Sequence, residues 1–119
     1  PVFPIYVSML TLKWIKEQGG VSVIEKRNIK KAKLLYSEID RNSLFTGTAL
    51  SEDRSLMNIC FLLNDESKKD MFDKMCEDAG INGIKGHRSV GGYRASVYNA
   101  MPIESIKVLV DLMRKLEKN

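Results

Sequence analysis

The residues best suited to chemistry lie in one stretch, from Ile84 to Pro102. This stretch holds the only histidine, His87, together with Arg88, Arg94 and three of the eight glycines. Arginine offers paired donors that match a carboxylate or a phosphate, and glycine lets the backbone adopt positive φ and approach a ligand closely. The combination favours a binding site for anions.

The spacing of the two arginines restricts the ligand. Arg94 follows Arg88 by six positions, so their backbones lie at most about 20 Å apart, and a turn through Gly91 and Gly92 would bring them closer. Two cationic groups at this separation suit a small molecule with an anion at each end. Two other interpretations stay open: a glycine-rich loop with solvated arginines and a capping histidine, or a basic loop that contacts nucleic-acid phosphates.

The sequence on either side predicts the elements that position this loop. Apolar and polar residues alternate from Tyr93 to Tyr98, which indicates a strand with Arg94 on its polar face. Upstream, Ile81 to Lys85 is expected to form a short edge strand. Downstream, Pro102 is expected at the first position of a last helix. The apolar stripe of that helix is Ile106, Leu109, Val110, Met113 and Leu116.

The N-terminal region predicts two helices separated by Gly19-Gly20. The first, Pro4 to Gln18, is apolar around most of its circumference instead of along one stripe. A domain of this size cannot easily cover such a helix, so we expect residues 1–20 to pack against a further domain or a second chain, although a central core helix is an alternative. The second is expected to begin with a capping box, Ser22 and Glu25.

The second helix carries apolar residues at near-helical spacing and a run of charged ones on its other sides. The charged residues are Glu25, Lys26, Arg27, Lys30, Lys31 and Lys33. Because no aromatic residues are interleaved with these charges, a solvated helix face is favoured over a nucleic-acid surface.

The middle of the chain predicts the rest of a small sheet. Short strands are expected at Leu44 to Thr46 and, more clearly, at Met57 to Leu63. A helix then follows the cap residues at 64–67 and ends at Gly80, with a core stripe of Met71, Phe72, Met75 and Ala79. Together these elements predict an α+β fold, in which residues 21–119 form a small mixed or antiparallel sheet with helices packed on one face.

Composition narrows the class of protein. The chain has 119 residues, of which 44% are hydrophobic and 29% charged, as is typical of a globular domain. A net charge of +4 does not choose between anionic metabolites and nucleic acid. Cys60 and Cys76 are too few for a disulfide scaffold or a zinc site, so we expect free thiols and no metal. No apolar run reaches the roughly 18 residues of a membrane span, and we expect a cytoplasmic protein.

The sequence around the loop closely resembles the C-terminal part of the enzymes of the phosphoserine aminotransferase family. These are pyridoxal-phosphate (PLP) enzymes of fold type I. The matching residues in this part are Gly86-His87-Arg88, Gly91 to Ser96, and Tyr98 to Pro102. Further matches, in the same order and spacing, are Lys13 to Gly20, Glu25-Lys26, Asn28, Lys31-Ala32, Leu34 to Tyr36, Ile39-Asp40, Arg54-Ser55 and Met57-Asn58. The resemblance therefore extends over nearly the whole chain.

The resemblance implies a longer enzyme. Members of this family are about three times as long, and the Schiff-base lysine and most cofactor-binding groups lie in a large domain, which we expect upstream of Pro1. The resemblance further implies a cytoplasmic homodimer that transfers an amino group between glutamate and 3-phosphohydroxypyruvate in serine biosynthesis, and in some bacteria in vitamin B6 synthesis. This chain is expected to contain no catalytic or cofactor-binding residue, and to be inactive alone.

The resemblance also implies residue roles. Arg94 matches the arginine that binds the substrate α-carboxylate, and His87 and Arg88 match the pair that contacts the distal phosphate or carboxylate. Two other classes stay open: a basic α+β module that binds nucleic acid, and a stand-alone domain that senses a phosphorylated metabolite.

Overall fold

The computed structural model describes residues 1–119 as four α-helices and one three-stranded sheet. In chain order the elements are α1 (Val2–Glu17), α2 (Val21–Arg41), β1 (Phe45–Gly47), β2 (Asn58–Leu63), α3 (Lys69–Asp78), β3 (Tyr93–Ser96) and α4 (Ile103–Lys118). Short 3₁₀ turns lie at Ser51–Asp53 and Glu66–Lys68. The strand order is β1-β2-β3 and both pairings are antiparallel. The predicted α+β fold is confirmed.

The core lies on one face of the sheet. Helix α2 packs on β1 and β2, and α4 lies against both α2 and α3. Aromatic rings fill the centre: the ring of Tyr93 stacks on Phe61 at 5.4 Å between centroids and meets Phe72 edge-on at 5.1 Å. Because such ring pairs restrict orientation as well as burying area, Tyr93 is held firmly at the start of β3.

The other face of the sheet is not covered by this chain. Alternation along β3 and the residue after it buries Tyr93, Ala95 and Val97 and leaves Arg94 exposed, as the sequence predicted. In the β2–β3 register Arg94 lies opposite Cys60. Cross-strand partners project to the same side, so Arg94 stands on the open face, mounted on a hydrogen-bonded strand.

A buried polar cluster joins the end of α2 to α4. The carboxylate of Glu38, whose side chain is 1% exposed, accepts hydrogen bonds from Arg41 at 2.7 Å, Arg114 at 3.0 Å and Asn42 at 3.0 Å. Asn42 also donates to the carbonyl of Met113 at 3.0 Å. A buried carboxylate is tolerated only with such partners, and this cluster therefore stabilises the α2–α4 packing.

The expectation of a solvated charged face on α2 was wrong for Lys31. This lysine is buried, and its Nζ donates to the carbonyls of Tyr98 at 2.8 Å and Met101 at 2.9 Å. Burial lowers the pKa of Lys31, and the nearby charge of Arg27 lowers it further. The side chain ties the segment between β3 and α4 to α2.

Helix α1 contributes nothing to the core of this chain. None of its residues is buried, and Val2, Phe3 and Leu12 are 85%, 76% and 66% exposed. Among the other helices and strands, α1 packs mainly against α2, and its residue Trp14 borders the segment between β3 and α4. The interpretation as a central core helix is therefore wrong, whereas the expected packing against a further domain stays a prediction. None of the helices has the length and apolar character that crossing a bilayer requires.

Three local expectations about the later elements were also wrong. The segment from Ile81 to Lys85 is not a strand: only Lys85 forms a bridge, to Tyr93, because Gly83 adopts φ 69° and interrupts the extended backbone. In α3 Phe72 is buried and Met75 packs against the core as predicted, but Cys76 is buried as well and Met71 is 49% exposed. Ala79 lies beyond the last residue of α3 and is exposed as well. Pro102 caps α4 instead of opening it.

The expected capping box at the start of α2 is absent. Gly20 occupies the N-cap position with φ 92°, and no side chain caps the helix. The N-cap lies two residues earlier than predicted, at Gly20 instead of Ser22, so Ser22 lies inside the first turn and is no longer positioned as a cap.

Candidate anion-binding site

His87 and Arg88 line one pocket of about 210 Å³. This pocket lies at the glycine-rich loop between Lys85 and Tyr93, the glycine loop. Its other charged lining residues are Glu66, Lys69 and Lys85. Leu62 also lines the pocket and follows Cys60 by two residues on β2, so by alternation it lies on the open face of the sheet, the face that carries Arg94. The pocket therefore borders that face.

Glycines determine the path of the loop. The N–H of Gly86 donates to the carbonyl of Gly92 at 2.8 Å, and Gly91 and Gly92 have φ of 73° and 65°. A Cβ at Gly92 would lie 2.6 Å from the Leu62 side chain and 2.8 Å from the Phe61 carbonyl oxygen, and one at Gly86 would clash with the Gly91 carbonyl. The close approach and the positive φ both require glycine here.

The imidazole of His87 has a defined orientation. The backbone carbonyl of His87 accepts hydrogen bonds from the N–H groups of Val90 at 3.0 Å and Gly91 at 2.9 Å, which closes a turn. Nδ1 lies 2.7 Å from Ser89 Oγ and accepts from the Ser89 N–H at 3.3 Å. Because a backbone N–H only donates, Nδ1 is the acceptor and Nε2 carries the proton of the neutral ring. Nε2–H is thus available to donate to an anion.

Arg88 and Arg94 differ from every other arginine in the chain. Of six arginines, the other four bind side chains: Arg27 binds Gln18, Arg54 binds Asp40, and both Arg41 and Arg114 bind Glu38. The guanidinium groups of Arg88 and Arg94 are exposed and have no partner within the chain. Cations without a protein partner are available for an external anion.

The structure brings the three predicted site residues together only in part. His87 and Arg88 share the pocket, whereas Arg94 is not among the residues that line it. Arg94 lies two residues beyond Gly92, on β3, and its own N–H donates to the Ile84 carbonyl at 2.7 Å. Both ends of the loop are therefore held by backbone hydrogen bonds, with the paired cations in the loop and the third on the strand.

Asp73 is a residue of this region that sequence reasoning missed. Its carboxylate accepts from the Tyr93 hydroxyl at 2.8 Å and pairs with Lys69 and Lys85, each at 3.2 Å. Burial alone would raise the pKa of Asp73, but the hydrogen bonds from Tyr93, Lys85 and Lys69 outweigh it and hold the pKa below its ordinary value. The spacing of Lys69 and Asp73 indicates their helical pair, but the contacts with Lys85 and Tyr93 depend on the fold.

A second, uncharged cleft lies elsewhere in the fold. A space of about 300 Å³ lies between the segment Ala79–Ile84 and α4, and none of its lining residues is charged. It therefore lacks the groups that recognise an anion.

The residues present do not fit a covalent PLP site. The lysine of such a site needs a free amine, and a lowered pKa is typical of it. Lys31 has the lowered pKa, but two backbone carbonyls occupy its Nζ. No three side chains of the metal-binding types are gathered in one place.

Comparison with known proteins defines the family. Residues 1–109 match the family described as aminotransferase class-V. The chain belongs to the aminotransferase class-V family. Since this match covers most of the chain, the fold and the glycine loop described above are those of a class-V aminotransferase segment.

Relatives of this class-V segment are named phosphoserine aminotransferase. One from Flavobacterium psychrophilum is 65% identical over 117 residues, which is 98% of this chain and 33% of the relative. A solved structure from Bacillus circulans subsp. alkalophilus has a TM-score of 0.92 and 44% identity over 99% of this chain and 33% of its own. A structure from Trichomonas vaginalis, described as PLP-bound, has a TM-score of 0.87 and 38% identity over 96% of this chain and 33% of its own. The chain thus spans about a third of the length of the proteins it matches.

Proposed function

We propose that this chain is the C-terminal, substrate-binding portion of a phosphoserine aminotransferase. The whole enzyme exchanges an amino group between glutamate and 3-phosphohydroxypyruvate, giving 2-oxoglutarate and phosphoserine in serine biosynthesis. The observation that carries the proposal is that Arg88 and Arg94 alone among the arginines have no partner in the chain. The relatives named phosphoserine aminotransferase support the assignment of these cations to a doubly anionic substrate.

Arg94 binds the substrate α-carboxylate in this proposal. A guanidinium holds a carboxylate through two parallel hydrogen bonds and so determines its orientation as well as its position. Arg94 lies on a strand paired with β2, and a rigid element positions a side chain more precisely than a loop does. Binding the α-carboxylate in this way orients the amino group for transfer.

His87 and Arg88 bind the distal anion, which is the phosphate of phosphoserine or the side-chain carboxylate of glutamate. Nε2–H of His87 and the guanidinium of Arg88 are both free to donate. A neutral His87 contributes a hydrogen bond, and a protonated one adds charge. These residues bind and orient, and they transfer no proton in the reaction.

In this proposal the whole enzyme uses PLP, and the part of the enzyme outside this chain, which spans 33% of the Flavobacterium psychrophilum relative, binds it. When bound, it supplies the electron sink for amino transfer. Because the chain has no lysine suited to hold it covalently, we expect the isolated chain to be inactive.

Helix α1 packs against the large domain or the second subunit of a homodimer. Its apolar side chains are exposed along its length, and burial of such area is the main favourable contribution to association. We also place the enzyme in the cytoplasm, where the free thiols of Cys60 and Cys76 stay reduced. A related phosphorylated substrate of vitamin B6 synthesis is a second expected substrate in bacterial members.

The test is substrate-selective kinetics of Arg88→Ala in the full-length enzyme. We expect kcat/KM to fall by about tenfold to 100-fold with glutamate and with phosphoserine, because each loses a charged hydrogen bond worth about 1.5–3 kcal/mol. Alanine has no distal anion, so its slow transfer should change little. Equal losses with alanine and glutamate would contradict the role of Arg88. A wild-type enzyme that does not convert 3-phosphohydroxypyruvate would overturn the proposed function.

A further inference from the structure

One carboxylate holds both ends of the glycine loop. The loop begins after Lys85 and ends at Tyr93, and these two residues form a β-bridge. Their side chains both reach Asp73 on α3: the Lys85 ammonium lies 3.2 Å from Oδ2, and the Tyr93 hydroxyl donates to Oδ1 at 2.8 Å. Asp73 is thus the point at which the loop is joined to a helix by polar contacts.

The contact is built to be rigid. The side chain of Asp73 is 17% exposed, whereas that of Lys85 is 72% exposed. The hydrogen bond from the buried Tyr93 hydroxyl is therefore the stronger of the two contacts with the loop. Tyr93 is 4% exposed and its ring packs between Phe61 and Phe72, which restricts its hydroxyl to one position. Lys69, one helical turn before Asp73, pairs with the same oxygen as Lys85.

The residues that bind the distal anion in the proposed function lie between these two anchors. His87 and Arg88 lie inside the loop, and its remaining internal bonds are from backbone to backbone or within His87 and Ser89. An exposed loop of this kind has several accessible conformations unless its ends are held. The position of Arg88 therefore depends on how firmly Lys85 and Tyr93 are anchored.

From this geometry, and resting on the function proposed above, we propose that Asp73 is a positioning residue that holds the loop from Lys85 to Tyr93 so that His87 and Arg88 meet the distal anion of the substrate. Asp73 itself does not touch the substrate.

Two effects of removing the Asp73 charge have opposite signs, which makes the proposal testable. Lys69 and Lys85 line the pocket beside Arg88, so losing their counter-charge makes the pocket more positive and by electrostatics alone would strengthen anion binding. Release of the loop weakens it, because a displacement of about 1 Å at a binding group costs up to about 100-fold. We expect the second effect to dominate.

The experiment compares Asp73→Asn with Asp78→Asn in the full-length PLP-bound enzyme. Asp78 is the matched control, because it lies on the same helix and pairs with Lys74 four residues earlier, as Asp73 does with Lys69, but reaches nothing in the loop. We expect Asp73→Asn to raise KM for glutamate about tenfold, with kcat for glutamate and the rate with alanine nearly unchanged. Asp78→Asn should behave as wild type with both donors.

A second variant keeps the test independent of the folding of Asp73→Asn. Tyr93→Phe retains the ring packing and removes only the hydroxyl, so its fold is preserved and KM for glutamate should rise by about twofold to fivefold. Amide hydrogen exchange should quicken in the peptide covering residues 85–93 in both variants and stay unchanged in α4.

The outcomes separate this proposal from the proposed function. Three results would show, for a wild-type enzyme that uses glutamate, that Asp73 does not position the loop. They are a lower KM for glutamate in Asp73→Asn, the same kinetics in Asp73→Asn as in Asp78→Asn, or equal slowing of amino transfer from alanine and from glutamate. Unchanged exchange at residues 85–93 in both variants would overturn it as well. Failure of the wild type to use glutamate would instead overturn the proposed function, while the exchange result would still report on the anchoring of the loop.

Discussion

Two pairs of arginines differ in whether the chain supplies a partner for their charge. One pair is Arg41 of α2 and Arg114 of α4, and the other is Arg88 of the glycine loop and Arg94 of β3. Arg41 and Arg114 converge on the buried carboxylate of Glu38. Arg88 and Arg94 have no carboxylate within the chain, although both are equally charged and exposed. A cation matched by an internal anion thus stabilises the fold, whereas a cation left unmatched is available to a ligand.

The largest expected effect is a loss of stability when Glu38, the anion shared by Arg41 and Arg114, is removed. Glu38→Ala should lower the free energy of unfolding by about 3 kcal/mol, because Asn42 and two guanidinium groups lose their common acceptor. Urea denaturation of the chain measures this. Glu38→Gln, which keeps the shape and loses the charge, should cost less; a loss below about 1 kcal/mol for Glu38→Ala would mean that the cluster contributes little.

The next effect concerns the unmatched arginine on the strand. Arg94→Ala in the full-length enzyme should lower kcat/KM about 100-fold with glutamate, phosphoserine and alanine alike, since all three carry an α-carboxylate. Its free energy of unfolding should change by less than about 0.5 kcal/mol. Arg114→Ala is the control: we expect lower stability and unchanged kinetics. The same loss of stability in both variants would remove the distinction between the two groups of arginines.

Lowering the pH should remove the stabilisation that the ionised Glu38 carboxylate gives to the α2–α4 packing. Burial alone would raise the pKa of Glu38, but the hydrogen bonds from Arg41, Asn42 and Arg114 hold it below the ordinary value. A folded pKa below the unfolded one means that the stabilisation is complete above about pH 4.3 and is lost as the pH falls through the folded pKa. Urea midpoints measured from pH 6 to acid should therefore fall less steeply for Glu38→Gln than for wild type; identical slopes would show that Glu38 is not the group that titrates.

The smallest effect is expected at the histidine. Ser89→Ala removes the hydroxyl beside Nδ1 of His87 and leaves the backbone donor in place. We expect kcat/KM with glutamate to fall by about twofold to threefold, the lower range for a neutral, exposed hydrogen bond. Transfer from alanine should not change, and an equal change with both donors would argue against a role for His87 at the distal anion.

Part of this arrangement could be predicted from residue types and spacing. The alternation from Tyr93 onwards correctly placed Arg94 on the polar face of a strand, because strand side chains alternate whatever they pack against. The stripe of α4 was likewise correct, from Ile106 to Leu116. Periodicity is a local property, and these features depend on neighbours only a few residues away.

Other features could not be predicted in this way. The burial of Lys31 depends on carbonyls 67 and 70 positions further along the chain. In α3 the packing turns Phe72 and Cys76 towards the core and leaves Met71 49% exposed. The bridge at Lys85 replaces a predicted strand because glycines upstream bend the backbone. Each outcome was decided by long-range packing or by a backbone angle that residue type does not specify.

The amino-acid sequence by itself determined which side chains can bind an anion, and that Arg94 stands on a strand, because both follow from side-chain chemistry and local periodicity. Only the tertiary structure decided which arginines are free to do so. It brought Glu38 to Arg41 and Arg114, and it brought Asp73 to both ends of the glycine loop. The reason is physical: the pairing of a charge depends on which groups the fold places within a few ångströms of it.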